Sequence, residues 1–260
     1  MKIIADTHVH TIASEHAYST VMENITAAKA KGLHFIALTD HTGKMVGAPS
    51  DTYFACLRVG LPDEYDGVYI LRGCEVNILD ENGTLDLPSP LLDKLEWVIA
   101  SVHGILTPPM TVEQSTKMWL NVAQNPHVDV IGHCGDENYR FDYERVIPEF
   151  AKYGKIVEIN AASYRSRPSS INNCVEIARL CAKYGVPLVL SSDAHFAGNV
   201  GNVDDAIRIA QEANVPEELI LNIDTKRFAN KLEQMTGRKF ITQDLMNSKN
   251  IYAINPSFDR

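Results

Sequence analysis

Nine histidines occur in 260 residues, and their positions matter more than their number. His8 and His10 leave the apolar run Lys2–Asp6, and His41 closes Leu38-Thr39-Asp40-His41. Glu75 ends the run Val68–Glu75, His103 follows Trp97–Val102, and His133 follows Val128–Gly132. Asp193 and His195 follow Leu188–Ser192. A neutral imidazole offers one nitrogen lone pair and is a common metal ligand. Residues two apart on a strand share a face, so His8-x-His10 and Asp193-x-His195 can each present two donors to one ion. A carboxylate such as Glu75 can give one oxygen to each of two ions. Donors so arranged could hold a cluster of divalent ions, and such ions activate water for hydrolysis. His34 and His127 precede predicted strands and read as structural. His16, in the loop Ser14-Glu15-His16-Ala17-Tyr18-Ser19, stays open on position alone.

The elements that must position these donors alternate along the chain. Short runs rich in Val and Ile read as buried parallel strands: Lys2–Asp6, Phe35–Thr39, Val68–Glu75, Trp97–Val102, Val128–Gly132, Ile156–Asn160 and Leu188–Ser192. Helical patterns lie at Met22–Lys31, Val112–Gln124, Tyr143–Tyr153, Ile171–Tyr184 and Val203–Glu212, with a last helix capped near Asp224-Thr225 and running to about Met235. Glycine after Lys31, Tyr153 and Tyr184 ends three of them. Asp80-Glu81-Asn82-Gly83 reads as a hairpin turn inserted after the third strand. Seven strands with intervening helices predict a closed α/β barrel, TIM-like but one strand short, with an open doubly wound sheet as the alternative. In such a barrel the carboxyl ends of all strands meet at one rim, which brings the donors together. The whole chain, 1–260, reads as one domain.

The formal net charge of -9 disfavours broad backbone-driven nucleic-acid binding, although a nucleic acid stays open as a substrate. Five cysteines without a Cys-x-x-Cys pair suit a reducing, cytoplasmic setting. No signal peptide or membrane-spanning run is read, so no membrane partner is expected.

Asp6-Thr7-His8-Val9-His10-Thr11, Ser14 to Ser19, Leu38 to His41, Gly73-Cys74-Glu75, His103, Gly132-His133 and Ser192-Asp193-Ala194-His195 together resemble the polymerase-and-histidinol-phosphatase (PHP) family. The likeness is greatest to its small stand-alone YcdX-type bacterial phosphatases and spans residue 1 to about 236. The resemblance implies a distorted (β/α)7 barrel with a trinuclear zinc centre, with manganese or iron as alternatives. His8, His10, Glu75 and Asp193 would hold the first ion; Glu75, His103 and His133 the second; His16, His41 and His195 the third. Glu75, Asp193 and His195 would serve catalysis through a metal-activated hydroxide. The resemblance also settles His16 as a ligand and suggests a homotrimer.

The reading is therefore a phosphomonoesterase acting on a small phosphorylated metabolite. A phosphodiesterase or exonuclease and a non-catalytic, metal-stabilised domain are the competing readings. Arg165 and Arg167, in the loop after the sixth strand, are candidate phosphate clamps, because guanidinium can grip two phosphate oxygens. Lys44 and Tyr18 are further candidates. Asp40 is expected to orient a ligand ring, and Cys74 and Cys134 are expected in the core.

Overall fold

The computed structural model describes residues 1–240; the last twenty residues of the expected single domain lie outside the described residues. The chain runs β1 (Ala5–Val9), α1 (Val21–Ala30), β2 (Phe35–Leu38), α2 (Asp51–Gly60), β3 (Glu64–Tyr65), β4 (Val68–Asn77), α3 (Ser89–Leu92), β5 (Trp97–Ser101) and α4 (Val112–Gln124). It continues β6 (Val130–Ile131), α5 (Tyr143–Lys152), β7 (Ile156–Asn160), α6 (Ser163–Ser166), α7 (Ile171–Tyr184), β8 (Leu188–Ser191), α8 (Asp204–Glu212) and α9 (Thr225–Thr236). Seven strands pair in parallel in the order β1-β2-β4-β5-β6-β7-β8, and β3 adds a short antiparallel edge to β4. The distorted seven-stranded barrel is thus the fold, and the open sheet is not.

Local sequence explains the element ends. Thr20 and Glu23 form a reciprocal capping box on α1, and Thr111 and Gln114 do the same on α4. Asp224 caps α9 by accepting the Arg227 N–H at 2.8 Å. Three expectations shift. The first strand is Ala5–Val9 rather than Lys2–Asp6, which puts His8 inside it. The strand bearing Glu75 runs on to Asn77, and β6 keeps only two residues. Helix α2 carries just two buried residues, Phe54 and Leu57, so its periodicity is too thin to read.

The barrel interior is apolar at one end and polar at the other. Ala5, Phe35, Ala37, Tyr69, Leu71, Trp97, Ile99, Val130, Ile156 and Val189 form an inner cluster sealed by Phe228 and Leu232 of α9 and by Phe240. Following the same faces two residues at a time, the side chains turn polar. Tyr69 and Leu71 lead through Gly73 to Glu75 and Asn77; Trp97 and Ile99 lead to Ser101; Ile156 leads to Glu158 and Asn160. The outer faces pack under the helices as a second, larger core.

The seam between β8 and β1 lacks a regular ladder. At the carboxyl end His10 N–H donates to Ala194 O at 2.9 Å. Lower down, the buried Asn222 side chain takes the place of a strand. It accepts the Leu190 N–H at 3.0 Å and donates to Ala5 O at 2.8 Å and Leu190 O at 2.7 Å. Asn222→Ala would leave buried backbone groups on both strands unpaired. It should lower stability by about 2–4 kcal/mol in urea unfolding. A loss below about 1 kcal/mol would show that the seam holds without it.

Candidate metal centre

Every sequence-predicted ligand reaches the carboxyl rim of the barrel. Glu75, almost fully buried, is at the centre. Its Oε2 lies 3.3 Å from His8 Nε2, 3.5 Å from His10 Nε2 and 3.0 Å from His41 Nδ1. Its Oε1 lies 3.2 Å from His103 Nε2 and 2.9 Å from His133 Nε2. The two oxygens therefore face different sets of rings. Asp193 Oδ1 lies 3.6 Å from His8 Nε2, 3.3 Å from His10 Nε2 and 3.5 Å from His195 Nδ1. The exposed His16 ring stacks on His41 at a centroid distance of 5.0 Å and lies tilted against His195 at 4.9 Å. Asp193 holds a left-handed backbone with φ of 54°, a conformation that costs a non-glycine residue energy and marks a constrained turn.

The electrostatics are those of a cation site. Burial alone would push the carboxyls of Glu75 and Asp193 up, but the adjoining imidazoles, His8 foremost, hold both well below the usual range. Burial, then the neighbouring rings of His41 and His195, holds His10 well below the ordinary imidazole value. Burial, followed by the Arg167 charge, lowers His133 as well. His8 goes the other way: burial opposes its charge, but Glu158, Asp193 and Glu75 together carry it well above the ordinary value. His8 Nε2 and His10 Nε2 are 3.1 Å apart, and His10 Nδ1, His41 Nδ1 and Asp193 Oδ1 are buried without a hydrogen-bond partner. Such unpaired groups are expensive unless something binds them. Three donor sets each lie within 4.8 Å of one another: His8, His10 and Glu75; His10, His41 and His195; and His41, Glu75 and His103. The residues present fit divalent cations, and the sets overlap at His10, His41 and Glu75.

Outer carboxylates fasten the donors. Glu158, which the sequence reading did not single out, accepts from His8 Nδ1 at 2.6 Å and from the His133 N–H at 2.8 Å. That bond leaves His8 Nε2 free to face Glu75. Asn160 donates to Asp193 Oδ2 at 3.1 Å, and Asn77 Oδ1 lies 2.8 Å from His103 Nδ1. The available signal was a glutamate in the middle of the otherwise buried run Ile156–Asn160. Asp6 accepts the Ser192 N–H at 3.1 Å and the Gly201 N–H at 2.6 Å, tying β1 to the loop that carries Asp193. Among the described residues Asp40 hydrogen-bonds to Thr11, Ser14 and Tyr53 and to no ligand ring. It accepts the Thr11 N–H at 2.7 Å and the Ser14 hydroxyl at 2.8 Å, and so anchors the loop bearing His16. Cys74 and Cys134 are core residues.

The donors open onto a cleft of about 310 Å³ that Arg165 and Arg167 also line. Arg165 is exposed at its lip. The Arg167 side chain is 17% exposed, with Nη2 3.9 Å from Asp193 Oδ2, and neither Nη2 nor Nε has a hydrogen-bond partner. Lys44 and Tyr18 are exposed and do not line this cleft. His34 and His127 sit elsewhere, against Thr225 Oγ1 at 2.9 Å and Asp93 Oδ1 at 2.8 Å.

Residues 6–162 match the PHP domain family model, and residues 174–223 match the PHP-associated model. A protein named probable phosphatase from Thermoanaerobacter sp. (strain X514) is 44% identical over 90% of this chain and 96% of its own length. One of the same name from Clostridium novyi (strain NT) is 42% identical over 94% of this chain and all of its own length. Among solved structures, a histidinol phosphate phosphatase from Lactococcus lactis, complexed with zinc, L-histidinol and phosphate, shares the fold. It has a TM-score of 0.61 and 19% identity, over 83% of this chain and 95% of the other.

Glu158→Gln turns an amide N–H₂ toward a donor on one side or the other. It should weaken zinc binding about 10- to 100-fold in a competition titration against a chelating dye. Unchanged affinity would remove Glu158 from the support of the site.

Proposed function

Because the chain belongs to the PHP domain family, we propose that it is a metal-dependent phosphatase that hydrolyses a small phosphate monoester at a centre of three zinc-like ions. One observation carries this reading: the two oxygens of Glu75 face two separate sets of imidazole nitrogens at the floor of one cleft. The proposed ligand sets are His8, His10, Glu75 and Asp193; Glu75, His103 and His133; and His16, His41 and His195. The same donors suit manganese or iron. When bound, divalent ions supply Lewis acidity that lowers the pKa of water toward ~7 and offsets charge on phosphoryl oxygens.

The protein's own groups do the rest. Arg167, mostly buried beside Asp193 and with Nε and Nη2 making no hydrogen bond, is placed to grip a phosphate oxygen, with Arg165 closing on it from the lip. Neutral His10 and His133 keep their lone pairs at neutral pH, because burial disfavours their charged forms. Glu75 and Asp193 stay ionised under the same conditions. The relatives' names support a phosphatase, and the Lactococcus lactis structure, with its L-histidinol and phosphate, supports a small phosphorylated substrate. We further propose that residues 1–260 form one domain, that the protein works in the cytoplasm and that it assembles as a homo-oligomer. Among the described residues no helix is long and apolar enough to cross a membrane.

Two outcomes follow. The purified protein should hydrolyse p-nitrophenyl phosphate, lose that activity on exhaustive chelation and regain it with zinc or manganese; hydrolysis that survives complete metal removal would overturn the reading. Arg167→Met should raise the KM for a monoester roughly 10- to 100-fold, the scale of losing a charge-assisted hydrogen bond, while Arg165→Met acts more weakly. Steady-state kinetics on the two variants check this, and an unchanged KM for Arg167→Met would contradict the clamp.

A further inference from the structure

The hairpin after β4 plays no part in the chemistry described so far, yet it ends beside a ligand. Ile78 pairs with Leu85, Leu79 N–H donates to Thr84 O at 2.8 Å, and Asp86 N–H donates to Asn77 O at 3.2 Å. Asp80 ties the turn by accepting the Asn82 N–H at 2.8 Å and the Thr84 hydroxyl at 2.8 Å. Gly83 takes a φ of +73°, which glycine adopts without strain. The hairpin thus sets the Asp86 carboxylate against Asn77.

Asp86 is surrounded by donors. It accepts the Asn77 N–H at 2.9 Å, the Asn77 side-chain N–H₂ at 2.7 Å, the Lys44 N–H at 2.9 Å and the Thr42 hydroxyl. An ionised carboxylate can only accept, so the buried Asn77 amide must turn its N–H₂ toward Asp86 and its oxygen away. That oxygen lies 2.8 Å from His103 Nδ1. An amide oxygen also only accepts, so the proton of neutral His103 sits on Nδ1. Nε2, 3.2 Å from Glu75 Oε1, is then the nitrogen left to bind a cation shared with that carboxylate.

We propose that Asp86 is a positioning residue: acting through Asn77, it holds His103 in the one tautomer that can ligate a cation through Nε2. The proposal rests on the reading of His103 as a metal ligand. It gives the hairpin a role, because the insertion delivers a carboxylate that joins the loop after His41, the end of β4 and the His103 ring.

The test compares wild type, Asp86→Asn, and the pair Asp86→Asn with Asn77→Asp. One readout is the His103 tautomer, by nitrogen-15 NMR of metal-free protein; the other is zinc affinity by dye competition. In Asp86→Asn the Asn77 amide loses its carboxylate partner and keeps only the longer 3.3 Å contacts to Thr42 O and Oγ1, so the His103 proton should move to Nε2 and zinc binding should weaken about 10- to 100-fold. The paired substitution moves the carboxylate one step inward, onto His103 Nδ1. It should return the proton to Nδ1 and bring zinc affinity to within about threefold of wild type, as expected when a carboxylate again supports the ligand ring. Asp86→Asn with the proton still on Nδ1 and zinc binding intact would overturn the proposal. So would weakened binding that the paired substitution fails to recover, since a purely structural role would be made worse by the second change. Wild-type protein that binds no zinc would sink the ligand reading alone, because the tautomer comparison is made without metal.

Discussion

One buried carboxylate dictates the rest of this molecule. Glu75 lies within 3.5 Å of nitrogens from five imidazole rings carried by four different strands or their loops. Packing that many lone pairs around a buried anion, with Asp193 adding a second, is costly in a low-dielectric interior unless positive charge offsets it. Protonation supplies some of that charge at His8 and His41, but burial and ring–ring repulsion keep His10 neutral. Divalent ions remove the conflict, since they bind the neutral rings and the ionised acids together.

The fold is arranged around that demand. A parallel barrel lets one face of every strand pass from apolar to polar along its length, so the core and the site share the same strands. Helix α9 seals the apolar end, and the donors open onto the cleft at the carboxyl rim. A ring of acids outside the donors then fixes their directions. Glu158 orients His8 and the backbone of His133, Asp40 secures the loop of His16, and Asp6 secures the loop after β8. Each makes several bonds to groups that could otherwise swing, so the geometry is set before any ligand arrives.

Much of this was legible in the residues. The positions of His41, His103, His133 and His195 beyond their strands follow from where apolar runs stop, and a barrel then requires them to converge. The supporting acids were harder to see. Glu158 and Asn160 sit inside a run that reads as a strand buried on both faces, and their inward direction depends on which face closes the barrel. Asp40, next to His41 in sequence, looks like a partner for that ring, yet the strand alternation turns it to the loop of His16. The overlap of donor sets at His41 depends on a ring orientation that spacing does not encode. The two arginines were equal by composition; only their burial separates Arg167 from Arg165.

The central claim, that Glu75 bridges cations, is tested most directly by anomalous diffraction at the zinc edge from crystals grown with ample zinc. The account predicts a separate peak at about 2.0–2.2 Å from each Glu75 oxygen, one reaching toward His8 and His10 and the other toward His103 and His133. Density with no anomalous peak in contact with Glu75 would contradict it.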